Sequence, residues 1–292
     1  MIRCESLTKE YGEDGIFDLS FQVEKGQTLG ILGPAGAGKS LTLRVLLGLI
    51  RADTGDAAMF GMNCWFQRHQ IMKRAAYCPA LPPLEPNATG EGYIRFIARY
   101  HGGFNPEKAR KLTQRLDISL TGQCRGMSVE SRKKLGLLAA LSLDREATLL
   151  DEPMNGMGPL ARNALADVIR EEQQAGRAIL MTSHVLDEVR RACTHIAIMR
   201  KGRLVVSQPV DALSLTRQKV YHITFSTPEQ AASFAGEWET AVELIGARAL
   251  VAIPASPQVL LKTLARYTVL DLVGGREEAE ANFLRFHGDE IV

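Results

Sequence analysis

The chain lacks the features that mark secreted, disulfide-bonded or membrane-spanning proteins. Its five cysteines are scattered over 292 residues without a C-x-x-C pair, which argues against a disulfide framework and against a zinc site. The N-terminus has no apolar core of a signal peptide, and the longest apolar stretch, near residues 135–143, is far shorter than a membrane span. These absences predict a reduced, cytosolic protein, so any role at a membrane would require a partner.

An excess of charge of one sign is also absent. The 35 lysines and arginines nearly balance the 33 aspartates and glutamates, and basic runs such as Lys73-Arg74 are too short for a nucleic-acid track. We therefore expect no nucleic-acid partner. Internal repeats and low-complexity tracts are missing too, and 46% apolar residues are ordinary for a globular protein. A length of 292 residues is enough for two domains.

The most informative segment is 33–40, GPAGAGKS, which reads G-x-x-x-x-G-K-S. It follows a strand candidate at 28–32 and precedes an apolar, helix-like run at 41–49. Strand, glycine-rich turn and helix in that order are the context in which this motif binds phosphates. A glycine-rich connection of no special function is the alternative, but the complete motif behind a strand favours a nucleoside triphosphate site.

Each residue type in this segment has a physical task. The glycines allow successive backbone N–H groups to converge on a phosphate, and the helix N-terminus adds the positive end of its dipole. Lys39 would reach the β- and γ-phosphates, and Ser40 would offer its hydroxyl to Mg²⁺.

Two further strand candidates end in groups that suit phosphate chemistry. The strand at 147–150 runs into Asp151 and Glu152, where one carboxylate can hold Mg²⁺ and the next can accept a proton from an attacking water. The strand at 178–182 runs into Ser183-His184, which places an imidazole where it can contact the γ-phosphate and the water. An acidic turn or a lone histidine is usually structural, and it is the upstream phosphate loop that favours catalysis.

Strands and helices alternate over most of the chain, which predicts a parallel sheet covered by helices. A two-residue turn at Lys201-Gly202 predicts a hairpin between 196–199 and 204–206. From about residue 80 to 140 the pattern is helical, after a proline-rich irregular loop at 79–86. The helices predicted in the alternating and helical regions are 90–100, 106–116, 160–175 and 186–192.

A composition break at 213–219 separates a small C-terminal unit. Its pattern predicts the order βαββαβ of a ferredoxin-like arrangement, followed by a last helix at 277–286. The apolar residues of that helix, Phe283, Leu284 and Phe286, could pack on the unit's own sheet or contact another subunit, and self-packing is favoured. This unit contains no recognisable catalytic constellation.

The spacing of these parts, from about residue 2 to 213, resembles the nucleotide-binding subunit of ABC transporters. The segment LTKEYG at 7–12 is similar to that family's adenine-stacking segment, GPAGAGKS to its phosphate loop, and LLDEP at 149–153 to its magnesium and base motif. Ser183-His184 with the following VLDEV is similar to its switch histidine and helix. The tail FLRFHG at 283–288 resembles, more weakly, a C-terminal extension of exporter subunits.

The resemblance implies an α/β fold: a P-loop NTPase (ABC ATPase) core with a mixed sheet and an inserted helical subdomain at about 81–145, plus a small α+β ferredoxin-like domain. The expected domains are 1–217 and 218–292. The implied ligands are ATP and Mg²⁺. The implied catalytic residues are Glu152 and His184, the implied magnesium ligands are Ser40 and Asp151, and the implied nucleotide contacts are Tyr11, Gly33, Gly36, Gly38, Lys39, Ser40, Leu41, Asp151 and Ser128.

Several positions depart from the family pattern. Where the family has S-G-G-Q or S-G-G-M this chain reads SVES at 128–131, with Glu130 in place of a glycine. Ala80 stands where the family usually has Gln, Gly158 where its loop carries Asp, and Ala35 where its phosphate loop has Asn.

In ABC dimers the S-G-G-Q segment of one subunit acts on the partner's nucleotide. Glu130 would place a carboxylate at the helix N-terminus that otherwise faces that γ-phosphate, although it also complements its own helix dipole. Residues serving the chain's own nucleotide are present, whereas those acting across the interface are altered, with Ala80 as the exception. We call the S-G-G-Q segment the signature. The hypothesis is that this chain supplies a near-complete half of one ATP site and needs a partner subunit with an intact signature to complete it. A homodimer would then have two ATP sites with weak hydrolysis.

Three classes of function are compatible with these motifs. The favoured one is the ATP-hydrolysing subunit of an ABC exporter, on the inner face of the membrane, paired with a second cassette and driving a separate permease. The second is a regulatory subunit that binds nucleotide with little or no hydrolysis; the altered signature favours it, and Glu152 and His184 disfavour it. The third is a soluble ABC protein of translation or DNA repair, disfavoured because a second cassette and a coiled-coil insertion are missing.

Overall fold

The internal contacts of the chain divide it into two units, Met1–Val210 and Asp211–Val292. The computed structural model describes residues 1–212, 219–238, 242–253 and 257–275. The predicted boundary between 217 and 218 lies outside these described residues. Within them, no helix is long and apolar enough to cross a membrane.

The first unit contains ten strands and seven helices. The strands are β1 (Ile2–Tyr11), β2 (Asp14–Val23), β3 (Thr28–Leu32), β4 (Thr54–Met59), β5 (Met62–Asn63), β6 (Ala75–Cys78), β7 (Ala147–Leu150), β8 (Ala178–Ser183), β9 (His195–Arg200) and β10 (Arg203–Pro209). The helices are α1 (Lys39–Leu46), α2 (Arg68–Ile71), α3 (Gly90–Tyr100), α4 (Pro106–Arg115), α5 (Val129–Ser142), α6 (Pro159–Gln174) and α7 (Leu186–Ala192).

These strands form two sheets. One is antiparallel, in the order β2-β1-β4-β5, and the other has the order β10-β9-β3-β8-β7-β6. The strands of the second sheet run parallel except β10, which returns from β9 through the predicted hairpin turn. The expected mixed sheet of a P-loop NTPase is therefore confirmed.

The parallel sheet is buried on both faces, which explains why its strands read as continuous apolar runs. Along β8, Ile179 and Met181 belong to one apolar cluster and Leu180 to another, because successive side chains point to opposite faces. The first cluster includes buried residues of α5 and α6, and the second includes residues of α1 and of the antiparallel sheet. The sheet is thus sandwiched, and its strand ends define the edge on which the site lies.

The helical insertion lies between β6 and β7, which are parallel neighbours in the sheet. Each of its three longer helices begins at a residue whose side chain caps it: Thr89, Asn105 and Ser128 accept hydrogen bonds from backbone N–H groups in the first turns of α3, α4 and α5. The loop at 79–88, which precedes them, contains no helix and no regular strand, so the predicted irregular loop at 79–86 is present and extends two residues further.

The structure differs from the sequence-based expectations in a few places. The helix α1 begins at Lys39 rather than at residue 41, because Gly38 adopts a left-handed backbone and ends the phosphate loop there. The strands β4 and β6 were not predicted. Their alanine-rich sequences have low intrinsic strand propensity, and pairing with β1 and β7 fixes their conformation.

The second unit contains β11 (Lys219–Phe225), α8 (Pro228–Glu237), β12 (Val242–Ile245), β13 (Arg248–Ile253), α9 (Gln258–Leu264) and β14 (Val269–Gly275). Its sheet is antiparallel in the order β12-β13-β11-β14, so the predicted βαββαβ arrangement is present. Phe225 and Phe234 are the largest side chains of its core, with ring centroids 5.2 Å apart. The predicted helix at 277–286 and the tail at 283–288 lie outside the described residues.

A substitution of Gly136 tests how α5 packs against the loop at 79–88. Alanine has the higher helix propensity by about 1 kcal/mol, but a Cβ at Gly136 would lie 2.2 Å from Pro82 Cγ and 2.8 Å from Pro82 Cβ. We expect Gly136→Ala to lower the free energy of unfolding by about 1–3 kcal/mol, measured from the denaturant midpoint.

The matched control is Gly92→Ala in α3, where the nearest atom to a new Cβ is Thr89 Oγ1 at 3.4 Å. This exposed position should show neutral or increased stability. Equal behaviour of the two variants would contradict the packing of α5 on Pro82.

Candidate functional site

Three neighbouring parallel strands end at the same edge of the sheet. The register pairs Leu32 of β3 with Ser183 of β8, and Leu150 of β7 with Met181 of β8. The residues that directly follow these strands are therefore neighbours in space, although they are far apart in the chain. The phosphate loop, Asp151 and His184 all begin at this edge.

The phosphate loop depends on its glycines. Gly36 and Gly38 have φ angles of 81° and 99°, a region that side chains with a Cβ rarely adopt. A Cβ on Gly38 would also lie 2.9 Å from the carbonyl oxygen of Gly15 in β2, and one on Gly33 would lie 2.3 Å from that of Met199 in β9. The loop is thus closely enclosed by neighbouring backbone, with the β1–β2 hairpin beside it.

Lys39 is almost completely buried, with 6% of its surface exposed. Its Nζ donates to the carbonyl oxygens of Gly33 and Pro34 at 2.7 and 3.0 Å, and it lies 3.1 Å from Glu152 Oε1. Because a buried cation is stable only with close partners, these contacts hold the ammonium group within the loop and against the carboxylate.

Asp151 is buried and receives two hydroxyl groups on one oxygen. Ser40 Oγ and Thr182 Oγ1 donate to its Oδ1 at 2.9 and 2.7 Å. Among the described residues, no group of three or more His, Cys, Asp or Glu side chains could hold a metal by itself. A single carboxylate beside a hydroxyl instead matches the way proteins bind Mg²⁺, with waters and substrate phosphates completing the coordination.

Glu152 lies between a cation and an imidazole. Its Oε1 faces Lys39, and its Oε2 lies 2.8 Å from Nδ1 of His184, whose side chain is 48% exposed. The backbone of Glu152 has a φ of 45°, uncommon for a residue with a side chain, and its N–H donates to Thr182 Oγ1 at 2.9 Å. Strained backbone of this kind persists when surrounding contacts over-determine it, often at functional sites.

The other predicted nucleotide contacts lie on separate elements. Tyr11 ends β1 at the hairpin, is 56% exposed, and has Lys9 Nζ 5.2 Å from its ring centroid. Leu41 lies in the first turn of α1 and is partly buried. Ser128 caps α5, and its Oγ accepts from the N–H of Ser131 at 3.1 Å. The structure thus brings Lys39, Ser40, Asp151, Glu152 and His184 together, and it assigns Ser128 a local capping contact.

Two residues in the first turns of α5, Glu130 and Lys133, make three contacts that the sequence did not predict. Glu130 Oε1 lies 2.9 Å from Lys134 Nζ, which lowers the pKa of the glutamate, and Glu130 Oε2 accepts from the N–H of Gly158 at 3.3 Å. Lys133 is buried, which lowers the pKa of its ammonium group, and its Nζ donates to the carbonyl oxygen of Ala80. Three positions that the sequence predicts to depart from the family pattern, Ala80, Glu130 and Gly158, therefore contact side chains of the same helix.

Sequence reasoning missed several supporting residues. Thr182 bridges Asp151 and the backbone of Glu152, and its only signal in the sequence is a hydroxyl at the penultimate position of β8. Ser183 Oγ donates to Glu188 Oε2 at 2.6 Å, and burial raises the pKa of that glutamate. Arg162 Nε lies 3.8 Å from Glu188 Oε1 and donates to the carbonyl oxygen of Met157 at 2.8 Å.

Comparison with known sequences returns ATP-binding proteins of transporters. The ABC transporter family model matches residues 16–155. The uncharacterized ABC transporter ATP-binding protein YhcH of Bacillus subtilis is 26% identical over 99% of this chain and 96% of its own length. The Nod factor export ATP-binding protein I of Cupriavidus metallidurans is 30% identical over 70% of both chains, and that of Paraburkholderia xenovorans is 30% identical over 73% of this chain and 72% of its own.

Solved structures give the same result for the fold. An ATP-binding subunit of an ABC transporter is 26% identical and superposes with a TM-score of 0.66 over 73% of this chain and 91% of its own. A dimeric ATP-binding cassette in a post-hydrolysis state, bound to ADP and phosphate, superposes with a TM-score of 0.63 at 15% identity, over 72% of this chain and 99% of its own. The second likeness concerns the fold alone.

The hydroxyl of Thr182 is expected to stabilise the site, because it serves two partners inside a fully buried environment. Thr182→Val keeps the shape but leaves the Glu152 N–H without that acceptor, which should cost about 1–3 kcal/mol of unfolding free energy. Thr182→Ser, which keeps the hydroxyl, is the control and should cost clearly less in the same denaturant titration. Equal losses would show that the methyl group contributes as much as the hydroxyl, and an unchanged stability of Thr182→Val would contradict the bridging role of the hydroxyl.

Proposed function

Because the chain belongs to the ABC transporter family, as an ATP-binding subunit, we propose that it hydrolyses ATP and thereby drives a separate membrane permease of an exporter. The observation that carries this proposal is the row of contacts from Lys39 through Glu152 to His184, directly beside the Ser40–Asp151 pair. The Lys39 ammonium, the Glu152 carboxylate and the His184 imidazole therefore lie beside the oxygens of Ser40 and Asp151, which could bind Mg²⁺. All of them lie at the edge where β3, β7 and β8 end.

The residues present fit Mg²⁺ and a triphosphate. Gly36 and Gly38, which have positive φ, carry no side chain that would cover the loop backbone, and the buried Lys39 ammonium supplies a fixed positive charge. Ser40 and Asp151 would hold Mg²⁺. The bound ion would neutralise negative charge on the phosphate oxygens. Tyr11, exposed on the adjacent hairpin, would stack on an adenine ring. Gly36, Gly38 and the first turn of α1 at Leu41 would surround the phosphates with N–H groups, and Gly33 would let the loop turn away from β3, where its own N–H donates to the carbonyl oxygen of Ser183.

Glu152 is the proposed general base. Its carboxylate would accept the proton of the water that attacks the γ-phosphate, and its contact with His184 fixes the direction in which it faces. His184, half exposed beside it, would donate to the γ-phosphate or to the water. Lys39 would then exchange its contact with Glu152 for the phosphate oxygens, since both are anions competing for one ammonium group.

The altered positions support a dimer in which the two subunits contribute unequally to ATP hydrolysis. Val129 and Glu130 replace two glycines at the start of α5, where backbone N–H groups of one cassette would face the nucleotide of a second one. We propose that the chain supplies a near-complete site for its own nucleotide and a poor one for its partner's. Ser128 would still serve the partner's nucleotide, with a hydroxyl that accepts from the N–H of Ser131 and lies 3.0 Å from Ser131 Oγ.

Export and permease docking rest on separate observations. Two relatives are named for Nod factor export, which supports the exporting direction without identifying a substrate. The irregular loop at 79–88 and the helix α3 expose Leu81, Phe96 and Tyr100, with fractional exposures of 57, 56 and 76%. Exposed apolar groups of this kind are typical of protein contacts, and we propose that the permease docks on this helical insertion.

A regulatory subunit without appreciable hydrolysis is the second candidate. The replacement of both signature glycines favours it, whereas the contact of Glu152 with His184 favours hydrolysis, because a subunit that only binds nucleotide does not need an oriented base.

Hydrolysis by the purified chain separates these two functions. We expect Mg²⁺-dependent ATP turnover to be slow for the chain alone and to increase when a second cassette with an intact signature is added. Glu152→Gln should abolish turnover while ATP binding is retained, because the amide cannot accept the proton. Fast turnover by the chain alone would contradict the proposal that it supplies only half of an efficient ATP site. If the chain mixed with the second cassette does not hydrolyse ATP either, the regulatory function would be favoured.

The contribution of the altered signature can be measured in the homodimer. We expect Glu130→Gly to increase ATP turnover several-fold, because it removes a carboxylate near the proposed position of the partner's γ-phosphate. The matched control is Glu107→Gly, an exposed glutamate in the first turn of α4, which should leave turnover unchanged. Unchanged turnover in Glu130→Gly as well would point to Ala80 or Gly158 as the limiting position.

A further inference from the structure

Two positions that depart from the family pattern, Glu130 and Gly158, contact each other within one chain. Glu130 Oε2 accepts from the N–H of Gly158 at 3.3 Å, and Glu130 Oε1 pairs with Lys134 Nζ at 2.9 Å. The carboxylate therefore bridges the first turn of α5 and the residue that precedes α6. The two positions are 28 residues apart in sequence, and their spacing does not predict the contact.

We propose that Glu130 positions the loop 155–158 in the same chain, and that Glu130 and Gly158 form a matched pair in which the glutamate excludes an acidic residue from position 158. This inference rests on the proposed function for its catalytic consequence, but the contact itself can be tested without nucleotide. Substituting Glu130 or Gly158 alone should then change stability differently from substituting both.

The backbone does not require glycine at position 158. Its φ of −68° and ψ of 162° are accessible to any residue, and a Cβ there would meet Glu130 Oε2 at 3.8 Å, an ordinary van der Waals distance. Alanine would therefore fit. An aspartate would extend from that Cβ and add a second carboxylate beside the first, and like charges close together repel where solvent is partly excluded.

Helix capping gives the opposite expectation for aspartate in the absence of Glu130. Gly158 is the N-cap residue of α6 and provides no side-chain cap, whereas aspartate is among the preferred N-cap residues. Aspartate would also favour the positive end of the dipole of this 16-residue helix. The sign of the effect of Gly158→Asp therefore depends on the charge at position 130.

The same loop is also held from the side of the proposed catalytic residues. Arg162 Nε donates to the carbonyl oxygen of Met157 at 2.8 Å and lies 3.8 Å from Glu188 Oε1. The other oxygen of Glu188 accepts from Ser183 Oγ, next to His184. Contacts thus run continuously from Glu130 through the loop to His184. Spatial continuity alone does not establish coupling, which a double-mutant cycle measures directly.

The cycle uses the full chain as wild type, Glu130→Gln, Gly158→Asp and the double variant, with Gly158→Ala as the control that adds a Cβ without charge. In nucleotide-free protein we expect Gly158→Asp to lower the Tm by about 2–4 °C. In the Glu130→Gln background the same change should leave Tm unchanged or raise it, and Gly158→Ala should be near neutral in both backgrounds.

Salt distinguishes charge repulsion from a steric effect. In 1 M NaCl the Debye length is about 3 Å, so the loss of Tm in Gly158→Asp should shrink markedly, while the Gly158→Ala value should not change. Equal effects of Gly158→Asp in the two backgrounds, or a loss that is independent of salt, would overturn the matched pair.

The positioning role has its own readout in ATP hydrolysis, measured well below the Tm of every variant. Gly158→Asp should lower kcat several-fold with little change in KM for ATP, whereas in the Glu130→Gln background the same substitution should leave kcat unchanged relative to Glu130→Gln alone. A kcat unaffected in Gly158→Asp would overturn the positioning role even if the unfolding cycle is non-additive. If none of the proteins, wild type included, hydrolyses ATP, the proposed activity fails, while the Tm and salt data still decide the contact.

Discussion

The register of three parallel strands is the constraint on which the site depends. Because β7, β8 and β3 are adjacent and run in the same direction, their carboxyl ends place Asp151, His184 and the phosphate loop at one edge. A shift of one residue in any of these pairings would turn the side chains at the strand ends to the opposite face. The sheet is buried on both faces, and the apolar clusters that cover it fix the register.

At this edge of the sheet, the main charged groups are the ammonium of Lys39 and the carboxylates of Asp151 and Glu152. Lys39 is held by loop carbonyl oxygens and by Glu152, while Asp151 is held by the hydroxyls of Ser40 and Thr182. The two acidic side chains follow one another in sequence yet have different partners. That difference suits the separate tasks proposed for them, metal binding for Asp151 and proton transfer for Glu152.

The helix α5 links the site to the rest of the first unit. Its N-terminus is capped by Ser128, its Glu130 contacts Gly158 before α6, and its Lys133 reaches the carbonyl oxygen of Ala80 after β6. Ala80, Glu130 and Gly158, which are far apart along the sequence, are thus connected through contacts with one helix. Because Glu130, Gly158 and Ala80 all contact this one helix, the effects of substitutions at these positions need not be additive.

The sequence by itself determined the phosphate loop, the acidic pair after β7, the histidine after β8, and the order of strands and helices in the second unit, because these are local patterns with strict spacing. It did not predict β4 and β6, whose alanine-rich segments become strands only through pairing with their neighbours. Only the tertiary structure decided that Thr182 bridges Asp151 and Glu152, that Lys133 reaches Ala80, and that Glu130 meets Gly158. Contacts of this kind join residues far apart in the chain, and they depend on how helices pack on the sheet, which no local pattern encodes.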